Sequence, residues 1–446
     1  MKKNKLSLLE VLGLSVAMLA PTGAMAFNTA GAVTNAGITA PLAFILGGIA
    51  MLFTGISFVQ LGRKTHGDGS AYAYNRVALG EKAGFLSGWL LVLTYVTFAM
   101  SSSAIVGNFL NVFLSHFGIH LPIPLYIVLV LLVGGALSHR GIEFSTRFAL
   151  TLEFFAVGAL VILAAVILVH GGNNGLSTAP VNPSNASFSQ IGTGMIFALM
   201  SFAGFEGAAT IAPRGKNPKK AITISILGSV IFAAVFYFII TYIEIVGFGV
   251  GNIAKMANSA APVNYLATQY MGNGMATFLD FAAAMSYFAC YFGALNAGAF
   301  MLEALSAQGY LHPWLAKLSG EKQTPSHALD LITVLSLIFY LIFGIFGGIG
   351  AGDYYNWFGT LGMIPLLLVY VLVNAGSMRF FLKHRDEGFG WFKHVVAPIL
   401  GIIVLIYPIW SNIYPIPAWP LNMFPYITLI WLIIGFFLPK KDPLDL

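Results

Sequence analysis

Apolar positions in this chain do not alternate with polar ones at the spacing of a half-buried strand. They run in long blocks, near 8–31, 38–62, 84–113, 121–138, 148–170, 190–212, 221–248, 276–306, 328–350, 355–378, 394–412 and 419–438. Each block is long enough to cross ~30 Å of hydrocarbon as a helix. The pattern therefore predicts an all-α polytopic membrane protein with 12 transmembrane helices, built as a single integral membrane domain over residues 1–446.

The polar connections give this layout an orientation. Lys2, Lys3 and Lys5 precede the first block, and Arg63, Lys64, Arg76 and Lys82 follow the second. Further basic residues follow the fourth (Arg140, Arg147), the sixth (Arg214, Lys216, Lys219, Lys220) and the eighth (Lys317, Lys322). The tenth is followed by Arg379, Lys383, Arg385 and Lys393, and the twelfth by Lys440 and Lys441. Of the 22 Lys and Arg residues, only Lys255 falls on the opposite face. Cytoplasmic loops carry the excess of Lys and Arg, so both termini are expected in the cytoplasm and the protein in the plasma (inner) membrane.

Composition narrows the class. Hydrophobic residues make up 58% and charged residues 9% of the chain, and the mean hydropathy is +0.84. Soluble domains carry about 25% charged residues, so the solvent here is the lipid bilayer. The net charge of +6 follows from the loop asymmetry and points to no nucleic-acid partner. Cys290 is the only cysteine, which excludes an intrachain disulfide and a cysteine-based metal site. All nine histidines lie in connections or at block ends, leaving a haem or di-metal site in the bilayer without imidazole ligands. No P-loop pattern is present, so no nucleotide partner is expected. Neither cofactor nor metal is expected, with H+ or Na+ as possible coupling ions.

The stretch "VAMLAPTGAMAF" (16–27) admits two readings. Behind the basic "MKKNK", Ala24-Met25-Ala26 looks like a signal-peptidase site. Cleavage there would upset the charge alternation, and Glu10 interrupts the apolar region, so the segment is expected to be retained. It then reads as a membrane helix interrupted at "APTG" (20–23). The sixth block is interrupted in a similar way at "AGFEG" (203–207). Each interruption opens a run of five blocks, and paired broken helices in matching positions point to an inverted-repeat secondary transporter. A broken helix frees N–H groups at the positive end of its second half, where a carboxylate binds without a basic side chain. Freed carbonyls hold an ammonium or a cation. An amino-acid zwitterion carries both complementary groups.

Buried acids are the other candidates. Glu206 lies inside the sixth block between Gly204 and Gly207. A carboxyl at that depth costs on the order of 2.5–3.5 kcal/mol unless it is paired, protonated or facing a cavity. It reads either as a satisfied helix contact or as a protonatable group beside a transport site, and the flanking glycines favour the second. Glu153 is the only ionisable residue of 148–168; a coupling role and a structural pair both stand for it. Glu244, Asp280 and Glu303 lie near block ends and read as interfacial. "SSSA" (101–104) reads as a helix-packing stretch, and Trp89 and Tyr95 as packing or interface anchors.

Three stretches carry a resemblance to a known family. "SFAGFEGAATIAPRGKNPKKAI" (201–222) is similar to a sixth-helix signature of Gly-x-Glu followed by Lys-Asn-Pro and basic residues. "GDGSAYAYNRVALGEKAGFLSGWL" (67–90) resembles the connection between the second and third helices, and "EALSAQGYLHPWLAKLSGEKQTPSHAL" (303–329) that between the eighth and ninth. Together they resemble the amino acid–polyamine–organocation (APC) superfamily of transporters. The resemblance implies a leucine-transporter-like fold with a 5+5 inverted repeat, here 1–170 and 190–380, plus two accessory helices within 394–438. It implies secondary active transport of amino acids by alternating access, as proton-coupled symport or exchange. It also implies a substrate site at Ala20, Thr22, Gly23, Ala24 and Met25 of the first broken helix and Phe202, Ala203, Gly204 and Phe205 of the sixth. Backbone groups of Thr22, Gly23 and Ala24 would meet the substrate carboxylate, and carbonyls of the sixth-helix stretch its ammonium. Glu206 and Glu153 would serve coupling or gating.

This chain departs from the family pattern at three places. Met25 stands where a glycine-rich Gly-Ser-Gly run is common, and the fifth block lacks the Lys of some relatives. Phe300 or an apolar neighbour replaces a frequent eighth-helix Arg. Without a deep Lys or Arg, an acidic-amino-acid pocket is disfavoured. Polyamine or amine transport is the near alternative, and a nutrient sensor or channel on the same scaffold is the alternative from another class. An enzyme is not expected.

Overall fold

In hydrocarbon every backbone N–H and C=O must find its partner within the protein, and the apolar blocks accordingly fold as helices. The computed structural model describes residues 7–64, 71–140, 146–205, 218–319 and 323–440. The chain starts with α1 (Leu8–Met18), resumes after a two-residue gap as α2 (21–36), and turns at Gly37 (φ 59°) into α3 (Ala40–Gly62). A short helix, α4 (Ala71–Leu79), leads to α5 (Glu81–Ser115), α6 (Ile123–His139) and α7 (Thr146–Val169). After a polar connection come α8 (Phe188–Met200) and α9 (218–248), on either side of the residues 206–217 that lie outside the description. The small helices α10 (Ile253–Ala257) and α11 (Pro262–Met271) precede α12 (Asn273–Ala307). The chain ends through α13 (Ser326–Phe346), α14 (Ala351–Lys383), α15 (Phe392–Ser411) and α16 (Leu421–Phe437).

Among the described residues eight helical runs are long and apolar enough to cross a membrane. One of them, Pro21–Gly62, is α2 and α3 together; α6, α8 and α16 are shorter apolar helices. No strand is present among the described residues, only an isolated bridge between Ser319 and Thr324. The protein is a multi-pass membrane protein. The helices α4, α10 and α11 lie in connections that hydropathy alone does not place, because each is short and mixed in polarity.

The longest helices, α5 and α12, have 35 residues each. At about 1.5 Å per residue they exceed the hydrocarbon thickness, so tilt or protrusion accommodates them. They pack along each other, and α14 packs along α5. Ser101 and Ser103 of α5 are buried and give their hydroxyls to the Phe98 and Met100 carbonyls of the same helix. They act there as small packing residues. Trp89 anchors the C-terminal helix: it stacks on Trp431 with ring centroids 4.1 Å apart. Each indole N–H donates to the other tryptophan's carbonyl, at 2.7 and 2.8 Å.

Buried apolar side chains form two large clusters. One gathers α2, α3, the C-terminal half of α7, α8, α9 and the middle of α14. The other gathers α5, α6, α12, α13 and the first turns of α14. The helix α2 belongs to both, contributing Ala24 and Met25 to the first cluster and Ala26 and Phe27 to the second. Its start therefore lies at the seam between two packed bodies. Elsewhere the apolar surface faces outward, as with Val334, Ile338, Leu341, Ile342 and Ile345 on α13, which suits contact with acyl chains.

Candidate functional site

The first break is local chemistry. Proline removes an N–H and clashes with the preceding turn, and Pro21 occupies the first position of α2, where a missing N–H costs nothing. The residue before it, Ala20, takes a left-handed conformation (φ 46°, ψ 55°). Such a backbone costs a non-glycine residue of order 1–3 kcal/mol and persists where the surroundings over-determine it. Past Pro21 the helix widens into a π turn at Ala24–Asn28 before regaining α geometry at Thr29–Ala36. Turns of that kind often mark functional positions in helices.

The break leaves first-turn amides without helical acceptors, and side chains from distant helices supply them. The Thr22 N–H donates to Glu153 Oε1 of α7 at 2.6 Å. The Gly23 N–H donates to Ser286 Oγ of α12 at 3.1 Å. The Ala24 N–H turns back to the Ala20 carbonyl at 3.1 Å. The Glu153 carboxyl thus caps the positive end of this helix while only 7% exposed. A Cβ at Gly23 would stand 3.0 Å from Ser286 Oγ, tighter than ordinary contact, so Ser286 would have to give way. The Thr22 hydroxyl is buried and has no hydrogen-bond partner.

The second break follows Met200. Residues 201–205 leave the α-helix through turns, and Gly204 adopts φ 97°. A Cβ on Gly204 would lie 3.3 Å from the Met18 carbonyl oxygen, so the second break touches the C-terminal end of α1. The first interruption predicted from sequence is thus present, and the turns after α8 meet the end of α1, while the second predicted interruption continues from Glu206 on into residues outside the description. The Phe202 and Phe205 side chains point into the core: Phe202 packs on Tyr237, and Phe205 on Phe58 and Tyr370. From these two positions only backbone faces the break. Ala203 and Gly204 are half-buried. Met25 is fully buried, its sulfur 4.0 Å from the Thr241 hydroxyl of α9. Glu206 lies outside the described residues.

Sequence reasoning missed the residue that ties the two broken helices together. Asn28, 2% exposed, donates through Nδ2 to Ser201 Oγ at 2.9 Å. Its Oδ1 accepts from the Tyr355 hydroxyl of α14 and from the Tyr287 hydroxyl of α12 at 3.4 Å. Ser201 in turn donates to the Phe197 carbonyl, and its own carbonyl accepts from Tyr237 of α9. The available signal was a lone Asn in the apolar run "AMAFNTAG". Ser286, in "AAAMSYF", had no such signal.

Of the acids read as interfacial, Asp280 is 1% exposed and is paired with His116 at 3.0 Å and Asn264 at 2.5 Å. Glu244 of α9 differs from the interfacial reading: it is 3% exposed, and neither carboxyl oxygen has a hydrogen-bond partner. No group of three or more His, Cys, Asp or Glu residues that could hold a metal ion occurs among the described residues.

A discontinuous helix whose break is met, inside a helical membrane protein, by the turns that follow α8 is an arrangement that secondary transporters use. The family model for amino acid permeases matches residues 6–441, and the chain belongs to this family, within the APC superfamily. It is 23% identical to the branched-chain amino acid permease of Lactococcus lactis, over 90% of this chain and 88% of that one. It is 23% identical to the methylthioribose transporter of Bacillus subtilis, over 96% and 91%. With the low-affinity putrescine importer of Escherichia coli K12 the identity is 24%, over 54% of each chain.

Proposed function

We propose that this permease carries amino acids across the plasma membrane by alternating access, with the substrate held between the two helix breaks. The observation that carries this reading is the meeting of the breaks at Gly204 and Met18, beside the Thr22 and Gly23 amides. On this reading a zwitterion places its carboxylate on amides from Thr22 to Ala24. Its ammonium meets carbonyls around Ala203 and Gly204, with Ala20, Met25 and the backbone of Phe202 and Phe205 beside it. The closed packing corresponds to an occluded state, and rocking of the two apolar bodies across their seam opens either side. Membrane-spanning helices number twelve in this proposal, in two inverted five-helix repeats with α15 and α16 accessory. Both termini are cytoplasmic, which the one-sided distribution of Lys and Arg supports. The substrate is a small molecule and the chain acts without a cofactor, nucleotide or nucleic acid; the cycle is a transport cycle, not a catalytic one.

Coupling falls to Glu153 and Glu206, with protons as the driving ion. Glu206→Gln is expected to flatten the pH dependence of uptake between pH 5 and 8 while the protein remains folded. Unchanged pH dependence, measured in liposomes at fixed membrane potential, would remove Glu206 from coupling.

A polyamine or amine substrate is the second reading. The carboxyl of Glu153 at the centre favours it, since a buried acid is a natural counter-charge to an ammonium group. The test of both is uptake of each amino acid and of putrescine by the purified protein in liposomes, with proton and sodium gradients imposed separately. Saturable amino-acid uptake driven by the proton gradient supports the first reading, and putrescine uptake alone the second. Substrate binding without flux would indicate a sensor.

A further inference from the structure

The donor that the proposed site would offer to a substrate carboxylate is already engaged by one of the protein's own. Glu153 Oε1 accepts the Thr22 N–H at 2.6 Å, and Ser286 Oγ takes the next amide at 3.1 Å. The acceptor is charge-complementary, because α2 presents its positive end at this point. We propose that Glu153 is a tethered stand-in for the substrate's carboxylate, and that a proton must bind it before an amino acid can take its place. This inference rests on the amino-acid reading above and deepens it.

The groups around Glu153 leave it little else to pair with. From α2 it meets Thr22, and from α12 Ser286 and the Cys290 thiol; the Tyr237 phenol faces it from α9. Among the described residues no Lys, Arg or His interacts with its carboxyl. An incoming carboxylate would share one N–H with Glu153, two like charges at contact distance with no cation between them. Like charges in one site cannot both remain ionised at low cost. The conflict is resolved when a proton from the open side forms an O–H bond on Glu153. The neutral acid leaves the Thr22 N–H, and the substrate carboxylate accepts it. After release on the other side the O–H bond breaks, the proton departs, and Glu153 returns to the amide. One proton moves with each zwitterion, and the empty carrier reorients with its helix end capped.

The same logic sorts substrates by chemical class. An amine that lacks a carboxylate does not compete for Thr22 N–H, so Glu153 remains ionised as its counter-charge. Amino acids should therefore take up a proton on binding, and the amines formed by their decarboxylation should not.

The test uses the full-length protein and two probes, L-leucine and its decarboxylated amine, isoamylamine. In weakly buffered detergent solution near pH 7.5, binding of leucine to the wild type is expected to take up about one proton, and binding of isoamylamine none. Leucine binding without proton uptake would overturn the inference, and this readout needs no variant. In liposomes, Glu153→Gln is expected to lose the proton flux that accompanies leucine and to bind leucine about tenfold more tightly at pH 8 than the wild type. Wild-type uptake of leucine with an unaltered proton flux in Glu153→Gln would overturn this inference alone. If the wild type takes up no amino acid at all, the functional reading fails and this inference falls with it.

Discussion

Gly204→Leu is expected to abolish substrate binding and saturable uptake while leaving a folded protein. Gly204 has φ 97°, a conformation in which a side chain brings strain of order 1–3 kcal/mol. A Cβ would already stand 3.3 Å from the Met18 carbonyl oxygen, so the remaining leucine atoms must enter the gap between the helix ends. The strain is local, since Gly204 is only half-buried, and thermal unfolding in detergent should shift modestly. Gly204→Ala adds the strain and one methyl group, so a partial loss of affinity, roughly tenfold, is expected for a cost near 1.4 kcal/mol. Wild-type affinity in Gly204→Leu, measured by equilibrium binding on protein that elutes as a single species, would remove the substrate from between the breaks.

Asn28→Ala is expected to cost more in stability than in any local contact. One buried amide side chain serves Ser201, Tyr287 and Tyr355, and so joins the two broken helices to α12 and α14. Truncation leaves two buried phenols without their acceptor and one serine hydroxyl without its donor. Each orphaned group costs about 1–3 kcal/mol, partly offset by relaxation, so a net loss of about 2–4 kcal/mol is expected. Because the network holds α2 against the residues after α8, transport should fall together with stability. Denaturant unfolding within 0.5 kcal/mol of wild type would show that the network does not carry the junction.

The helices and the first break were legible because they depend on local rules. Long apolar blocks leave the backbone no partner but itself, and Pro21 and the Gly204 stretch interrupt that pattern in plain view. The position of the first break was less legible. The helix leaves α geometry at Leu19 and Ala20, and Ala20 is a left-handed residue that no propensity would assign to alanine. The acids divide in the same way. Burial of Glu153 could be read from its depth in a block, but its partner could not: the Thr22 amide lies 131 residues away. Ser286 and Asn28 likewise gain their roles from helix packing across 263 and 173 residues. Phe202 and Phe205 show the reverse case. They are adjacent to the break in sequence, yet helical turns send their side chains into the core against Tyr237 and Tyr370.

One family on one scaffold includes relatives named for amino acids, a thiosugar and a diamine. The features that this chain shares with a transporter are backbone features, namely two helix ends and their amides. At the first of them a carboxyl, that of Glu153, occupies the helix-end amide. The account's central claim is that an amino acid binds between the breaks and is carried by alternating access. Counterflow tests it most directly: the purified protein in liposomes, preloaded with unlabelled amino acid, and exposed to a trace of the same amino acid labelled. The account predicts transient accumulation of label that saturates with concentration and is lost in Gly204→Leu. Flux that neither saturates nor responds to preloading, or identical counterflow in Gly204→Leu, would contradict it.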